Sequence, residues 1–442
     1  MLVSPNKVKN SGALLRNSSG EAIEDTLKGM RSRFIKYERW LTQRHPYRNV
    51  IKKLEPRKVK NPLIDGKLLA EYISASIPLH AADGWGYLGR AFDSIRIGDL
   101  NTAVHLAYYA ELRAAMSLLA CEGVGVFNRR HVAIGPGCTP TMWKSRISGT
   151  HYATWKLLES WAKDRLRVTS LLTAIEVESR TIDEWFDAAR ISQISRTSVA
   201  QDWLNGWGID LKYFERDHRY RNHISYRPSK IHPDDYREVN PYEDIIEPIF
   251  QIWDALEPSA DRGGAAIDRV LLQKALTKAH DDYLSPTETW EDFLLRLDDV
   301  ASSTFQEQLT NLRKNGHYVF LWAGDASRFP PLQAVVARAT LLLRVASAVC
   351  ARRLSNAGVT KQELQFWWTR LGEDGGLWSD DADLNSLSDL LWPDVVLALD
   401  ICESELDQLN SSGTVYDIGQ ILWPQVALTQ FNRVPFWLLG ID

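Results

Sequence analysis

The chain is short of the residues that mark several large protein classes. It has 4 cysteines in 442 residues. They stand at positions 121, 138, 350 and 402, with no CxxC pair and no Cys/His spacing of a metal site. Disulfide scaffolds and zinc modules are thereby excluded, and reduced thiols in a cytoplasm are the expectation. No apolar run reaches the ~18 to 20 residues of a membrane helix. The opening stretch MLVSPNKVKNSGALLRNSSGE lacks the apolar core of a secretory signal. No membrane association is therefore expected. There is also no Walker loop, no GxGxxG opening a helix, no GxSxG elbow and no HExxH. The GVGVF run at Gly123 lacks the third glycine of a dinucleotide loop. The 10 histidines are dispersed. His131 and His151 flank one irregular loop, but no carboxylate or cysteine sits at ligand spacing, so neither a metal nor a cofactor is expected.

What is present is an ordinary globular composition, 45% hydrophobic and 24% charged, with 17 tryptophans expected mainly in packing between helices. The net charge of −4 hides an asymmetry. Residues 1 to 60 hold fifteen Lys and Arg against five Asp and Glu, a net +10, so the remainder carries −14. The segment RHPYRNVIKKLEPRKVKNP, with Lys52, Lys53, Arg57 and Lys58, is a candidate nucleic-acid contact. The competing expectation is a helix docked on the acidic body. The first twenty residues, polar and poor in apolar anchors, are expected to be loosely ordered.

Apolar spacing predicts a mostly α-helical chain. NTAVHLAYYAELRAAMSLLACEG reads as a helix with Asn101 as N-cap and Gly123 as stop. THYATWKLLESWAKDRLRVTSLLTAIEV continues the pattern, and TIDEWFDAARIS is a further helix capped by Thr181. The Gly-rich segment 123–150 has room for a short hairpin. NPYEDIIEPIFQIWDAL predicts a helix from Asn240, and ALEPSADRGGAA a linker or domain edge. PPLQAVVARATLLLRVASAVCARRLSNAG, opened by Pro330 and Pro331 and stopped by Gly358, predicts about 40 Å of central helix at ~1.5 Å per residue. HYVFLWAG is ambiguous between a strand and a buried helical turn. LLWPDVVLAL and ILWPQVALTQ echo each other, each expected to start a helix at its Trp-Pro pair. The organisation expected is a basic arm (1–60), a helical domain (61–255) and a C-terminal helical domain (256–442).

The densest chemistry is ERDHRYRNHISYRP, with four arginines and two histidines between Glu215 and Pro228. This stretch, with HLAYYAELRAAMSLLACEGVGVF upstream, resembles the HEPN-like helical domains of YaaC-like proteins and of prokaryotic toxin and anti-phage defence proteins, over roughly residues 75–255. The resemblance implies a helical bundle, commonly dimeric. Active members carry an Arg, a polar residue, and a His after four to six intervening positions, and cleave RNA without metal through the ribose 2′-hydroxyl. Arg216, Asp217 and His223 fit this pattern at its longest spacing. Arg221, Asn222 and Tyr226 fit a variant with tyrosine in the histidine place, which is the closer match. A tyrosine of pKa about 10 is a poor base near neutrality, which puts catalysis in doubt.

Physically, RNA cleavage needs a base for the 2′-hydroxyl proton and cations for the growing phosphate charge. Arg216, Arg221, His223 and Tyr226 are the candidate catalytic residues, and Arg219 and Arg227 candidate phosphate contacts. The function expected is a cytoplasmic defence- or toxin-type protein acting on RNA as a metal-independent endoribonuclease, as a homodimer or within a multi-protein complex. The alternative is a non-catalytic assembly subunit whose degenerate bundle binds a partner protein or nucleic acid. Glu111 has a structural expectation of its own. At 100° per residue it lies about 20° from Val104, beside the apolar stripe. A carboxylate there needs a cation, and Arg221 is the expected partner.

Overall fold

A computed structural model describes residues 2–54, 62–143, 149–206, 211–226, 239–259, 264–284, 287–325, 332–378, 387–409 and 413–439. The basic N-terminal segment is built into the fold as far as Leu54. β1 (Leu2–Val3) pairs antiparallel with β3 (Ile64–Asp65), and β2 (Asn6–Val8) pairs parallel with β6 (Thr139–Trp143). Between them run α1 (Ser11–Arg16), α2 (Gly20–Tyr37) and α3 (Val50–Lys53). The loose start expected from the first twenty residues is thus not observed. Asn10 and Ser19 cap α1 and α2, and α2 buries Ile23, Leu27, Met30 and Phe34. Its charges are also tied down: Arg33 holds Glu71, and Arg31 meets Glu363 at 2.9 Å. α2 docks because one of its faces is apolar enough to bury.

α4 (Gly66–Arg96) and α5 (Leu100–Cys121) form a long helical hairpin. Asp99, not Asn101, caps α5, and Gly123 ends it at φ 82°. The loop that follows holds more than a hairpin. β4 (Val124–Phe127) and β5 (Arg130–Gly135) pair antiparallel, β6 adds to β5, and β2 completes the order β2-β6-β5-β4. The continuous pattern read after Thr150 breaks into α6 (Thr150–Ala162), α7 (Arg165–Val168) and α8 (Ser170–Ala174), followed by the strands β7 (Glu176–Val177) and β8 (Arg180–Thr181). Asp164 starts a new cap at the first break. Thr181 caps α9 (Ile182–Ala188) in a reciprocal box with Glu184, as its sequence predicts. α10 (Gln193–Gly206) and α11 (Leu211–Tyr226) follow, and a π turn at Tyr242–Ile246 opens α12 (Glu247–Leu256).

The C-terminal helices are α13 (Ala266–Tyr283), α14 (Trp290–Leu295), α15 (Ser303–Asn315), α16 (Tyr318–Gly324), α17 (Leu332–Asn356), α18 (Lys361–Glu373), α19 (Leu387–Gln408), α20 (Val415–Leu422) and α21 (Pro435–Leu438). The ambiguous HYVFLWAG run is therefore helical, α16. Pro330 and Pro331 lie outside the described residues; Gly358 follows α17 at φ 68°, as expected of a stop. The Trp-Pro echo does not mark two helix starts. Pro393 lies inside α19, and Pro424 follows α20.

The core does not part near residue 255. Buried side chains from Leu14 to Leu439 form one cluster, and α17 packs against both α4 and α5. The closest approach is at Gly84, where a Cβ would stand 2.5 Å from Leu343 Cδ2. α17 contains an 18-residue stretch apolar enough to cross a membrane, but 94% of it is buried inside the protein. Its apolar character is that of a core helix.

Candidate active site

Burying α17 also buries two arginines, and one of them organises the candidate site. Arg338 is 1% exposed, and its guanidinium serves three elements at once. Nε donates to Glu111 Oε1 of α5 at 3.1 Å, Nη1 to the carbonyl of Ala323 in α16 at 3.2 Å, and Nη2 to Asp217 Oδ2 of α11. Both carboxylates are fully buried. One cation thus faces two acids in a dry site, where an uncompensated charge is costly. Burial pushes the Glu111 carboxyl up to about 8; Arg338 opposes that rise and Asp217 adds to it. Glu111 Oε2 has no hydrogen-bond partner among the described residues. Near neutrality Glu111 keeps its proton, and Arg338 is the cation set between the two carboxyl groups.

The burial of Glu111 follows the stripe geometry, but the partner does not. Arg338 takes the place expected for Arg221. Arg221 is aimed at another cluster, about 40° further round α11 from Asp217 at ~100° per residue. It donates to the Tyr109 hydroxyl and, at 2.8 Å, to Asn222 Oδ1, and lies 5.2 Å from the Tyr109 ring centre.

Around Arg221 the packing of α11 against α5 and α6 gathers aromatic and imidazole rings. His151 of α6 and His218 of α11 stack with centroids 5.2 Å apart and planes at 20°. His218 also stacks on Tyr108 at 6.0 Å, and Tyr87 of α4 stacks on Tyr109 at 5.4 Å. Trp155 Nε1 donates to the Tyr108 hydroxyl at 3.1 Å, and that hydroxyl meets His151 Nδ1 at 2.9 Å. An indole N–H can only donate, which leaves the Tyr108 O–H free to donate to His151 Nδ1 when that nitrogen is unprotonated. Asn222 Nδ2 approaches His218 Nε2 at 3.4 Å.

Both imidazoles are half-buried and both are held neutral. Burial, then the neighbouring His218 and Arg221, lowers His151 to about 4. Burial, then Arg221, lowers His218 and likewise His105. An arginine beside two neutral histidines and two tyrosines can take a phosphate anion and move protons at its oxygens.

The sequence-predicted residues are not gathered into one centre. Arg216 sits beside Asp217, its Nε 3.3 Å from Oδ1. Arg219 and His223 are on the exposed face of α11, and His223 lies about 160° from Arg221 around the helix at ~100° per residue. Arg221 and His223 therefore cannot work on one bond. The Tyr226 side chain and Arg227 lie outside the described residues, as do Arg57 and Lys58. Lys52 and Lys53 are exposed on α3.

Sequence reasoning passed over the pairing of His218 with His151, and over Arg338. The first had a local signal, since His218 and Arg221 are three apart and share a helix face. The second had one as well: an arginine inside an apolar helical run demands a buried acid. Among the described residues no group of His, Cys, Asp and Glu is arranged to hold a metal ion. His131, expected near His151, instead packs on Trp143 at 5.7 Å. Comparison with family models, with curated proteins and with solved structures gave no match.

Proposed function

We propose that the chain cleaves RNA without a metal, using His218, His151 and Arg221 rather than His223. The observation that carries this reading is the stacked, neutral imidazole pair beside an arginine on a half-buried face. His218 Nε2 takes the proton of the ribose 2′-hydroxyl, whose oxygen attacks the adjacent phosphorus. The bond from phosphorus to the 5′-oxygen breaks, and that leaving oxygen takes a proton from His151 in its imidazolium form, which its lowered pKa of about 4 populates on the acidic side of neutrality. A 2′,3′-cyclic phosphate and a 5′-hydroxyl result. Arg221 offsets the charge growing on the phosphate. Tyr87, stacked on Tyr109 with Arg90 at 4.1 Å from its ring centre, offers a platform for a base.

Two tests bear on this. An oligonucleotide with a single ribose in a deoxy background should be cut only after that ribose, with EDTA present, and an all-deoxy version should survive. Because both histidines are held below their ordinary pKa of about 6.5, the kcat/KM profile should peak on the acidic side of neutrality. An optimum above pH 8 would contradict the assignment. The placement in prokaryotic defence or toxin systems rests on the HEPN resemblance alone.

A second reading has its own observation. Arg221 is engaged by Tyr109 and Asn222, and Asp217 by Arg338, as in a bundle held for binding rather than reaction. On that reading the chain is a non-catalytic assembly subunit. It would retain an RNA or a partner protein without cutting it.

A further inference from the structure

Independently of the cluster on α11, we infer a binding site for a small amphiphilic anion in the cleft between the C-terminal half of α17, the turn into α18 and Leu438–Leu439. The cleft has a volume of about 400 Å³. That lies within the ~300 to 1,000 Å³ of small-molecule sites. α17 faces it with Arg344, Ala348, Ala351, Arg352 and Ser355, which recur at helical spacing on one face.

The lining separates into two kinds. The walls are aliphatic: Leu354, Val359, Leu364, Leu438 and Leu439. Among the described residues no aromatic ring lines the cleft, so none of them would stack on a nucleobase. The polar part is cationic. Arg344, deep in the cleft, is spoken for: Asp268 accepts from its Nε at 2.5 Å and from its Nη2 at 2.9 Å. Arg352 and Lys361 differ, since neither forms a hydrogen bond or ion pair among the described residues. Among the described residues Glu176 is the one acid in the lining. The first turn of α18 does not provide the attraction, because Thr360 and Glu363 already satisfy it in a capping box. Two uncommitted cations at the mouth of an aliphatic cleft match a carboxylate or phosphate head on a short aliphatic body. Arg352 supplies the planar fork for such a head, and Lys361 a second point charge.

The test is calorimetric titration of the full chain with octanoate and with octyl phosphate, against octanol and inorganic phosphate. Saturable binding of at least one amphiphile is expected, and which one binds tighter identifies the head. Arg352→Gln with Lys361→Gln should weaken it at least tenfold, at an unchanged melting temperature. Ala351→Phe, which fills the cleft, should abolish it. Failure of both amphiphiles to saturate, equal binding by the double variant, or binding of octanol or of phosphate alone as tight as the better amphiphile would overturn the inference.

Discussion

Arg338 is the residue whose charge state governs its surroundings. With one cation between two buried carboxyls, loss of either acid leaves the other to balance it. Glu111→Gln mimics the protonated group and should change stability by under about 1 kcal/mol near pH 7. Asp217→Asn should cost more, about 1 to 3 kcal/mol, because Glu111 must then ionise in its place. The double variant strands Arg338 in the interior and should cost more than the two singles together, at least about 3 to 5 kcal/mol. Additive losses in a denaturant double-mutant cycle would contradict this balance. The pH dependence has a definite sign. Glu111 keeps its proton to about 8 in the folded protein, whereas the unfolded carboxyl releases it near the ordinary 4.5. Between those values the unfolded chain binds fewer protons, so stability from this group falls as pH rises, by up to about 1.4 kcal/mol per unit. Glu111→Gln should flatten that slope, and an unchanged slope would show that Glu111 is not its source. The buried place of Glu111 was legible from its angle on α5. Its partner was not, because Arg338 is 227 residues away and local spacing carries no information about which helix arrives.

At the scale of elements, α11 sorts its own residues. Asp217 turns to the core, His218 and Arg221 to α5 and α6, and Arg219 and His223 outward. A linear motif match cannot make that distinction, which is why Arg221 and His223 read as one group in sequence and point to opposite sides of α11 at ~100° per residue. Capping chemistry was the more dependable guide. Thr181 with Glu184, and Gly123 and Gly358 past their helices, act through backbone geometry that their own neighbours decide. Thr181→Ala should therefore cost about 1 kcal/mol in chemical denaturation, and no loss would deny the cap its role. Composition shows the positive charge of residues 1–60 but not the apolar face within it, where Ile23, Leu27, Met30 and Phe34 recur on one side of α2. Deleting residues 1–9 removes β1 and β2 from their partners and should lower the melting temperature by several degrees. An unchanged melting temperature would mean that these strands do not contribute to the fold.

Across the whole molecule the helical class was legible, since 3.6-residue periodicity recurs along the chain; the division into units was not. A linker composition near residue 260 does not reveal that α17, beyond it, packs against α4 and α5, well before it. The same long-range packing joins Arg338 to Asp217, the residue that precedes His218 on α11. The account's central claim is that the imidazole pair of His218 and His151, and not the outer face of α11, performs metal-independent cleavage. It is tested most directly by following an end-labelled RNA in EDTA with the wild-type chain, His218→Gln, His151→Gln and His223→Ala side by side. The account predicts cleavage by the wild type and by His223→Ala, and a loss of about 100-fold or more in each of the other two. No cleavage by the wild type, or cleavage lost in His223→Ala and kept in His218→Gln, would contradict it.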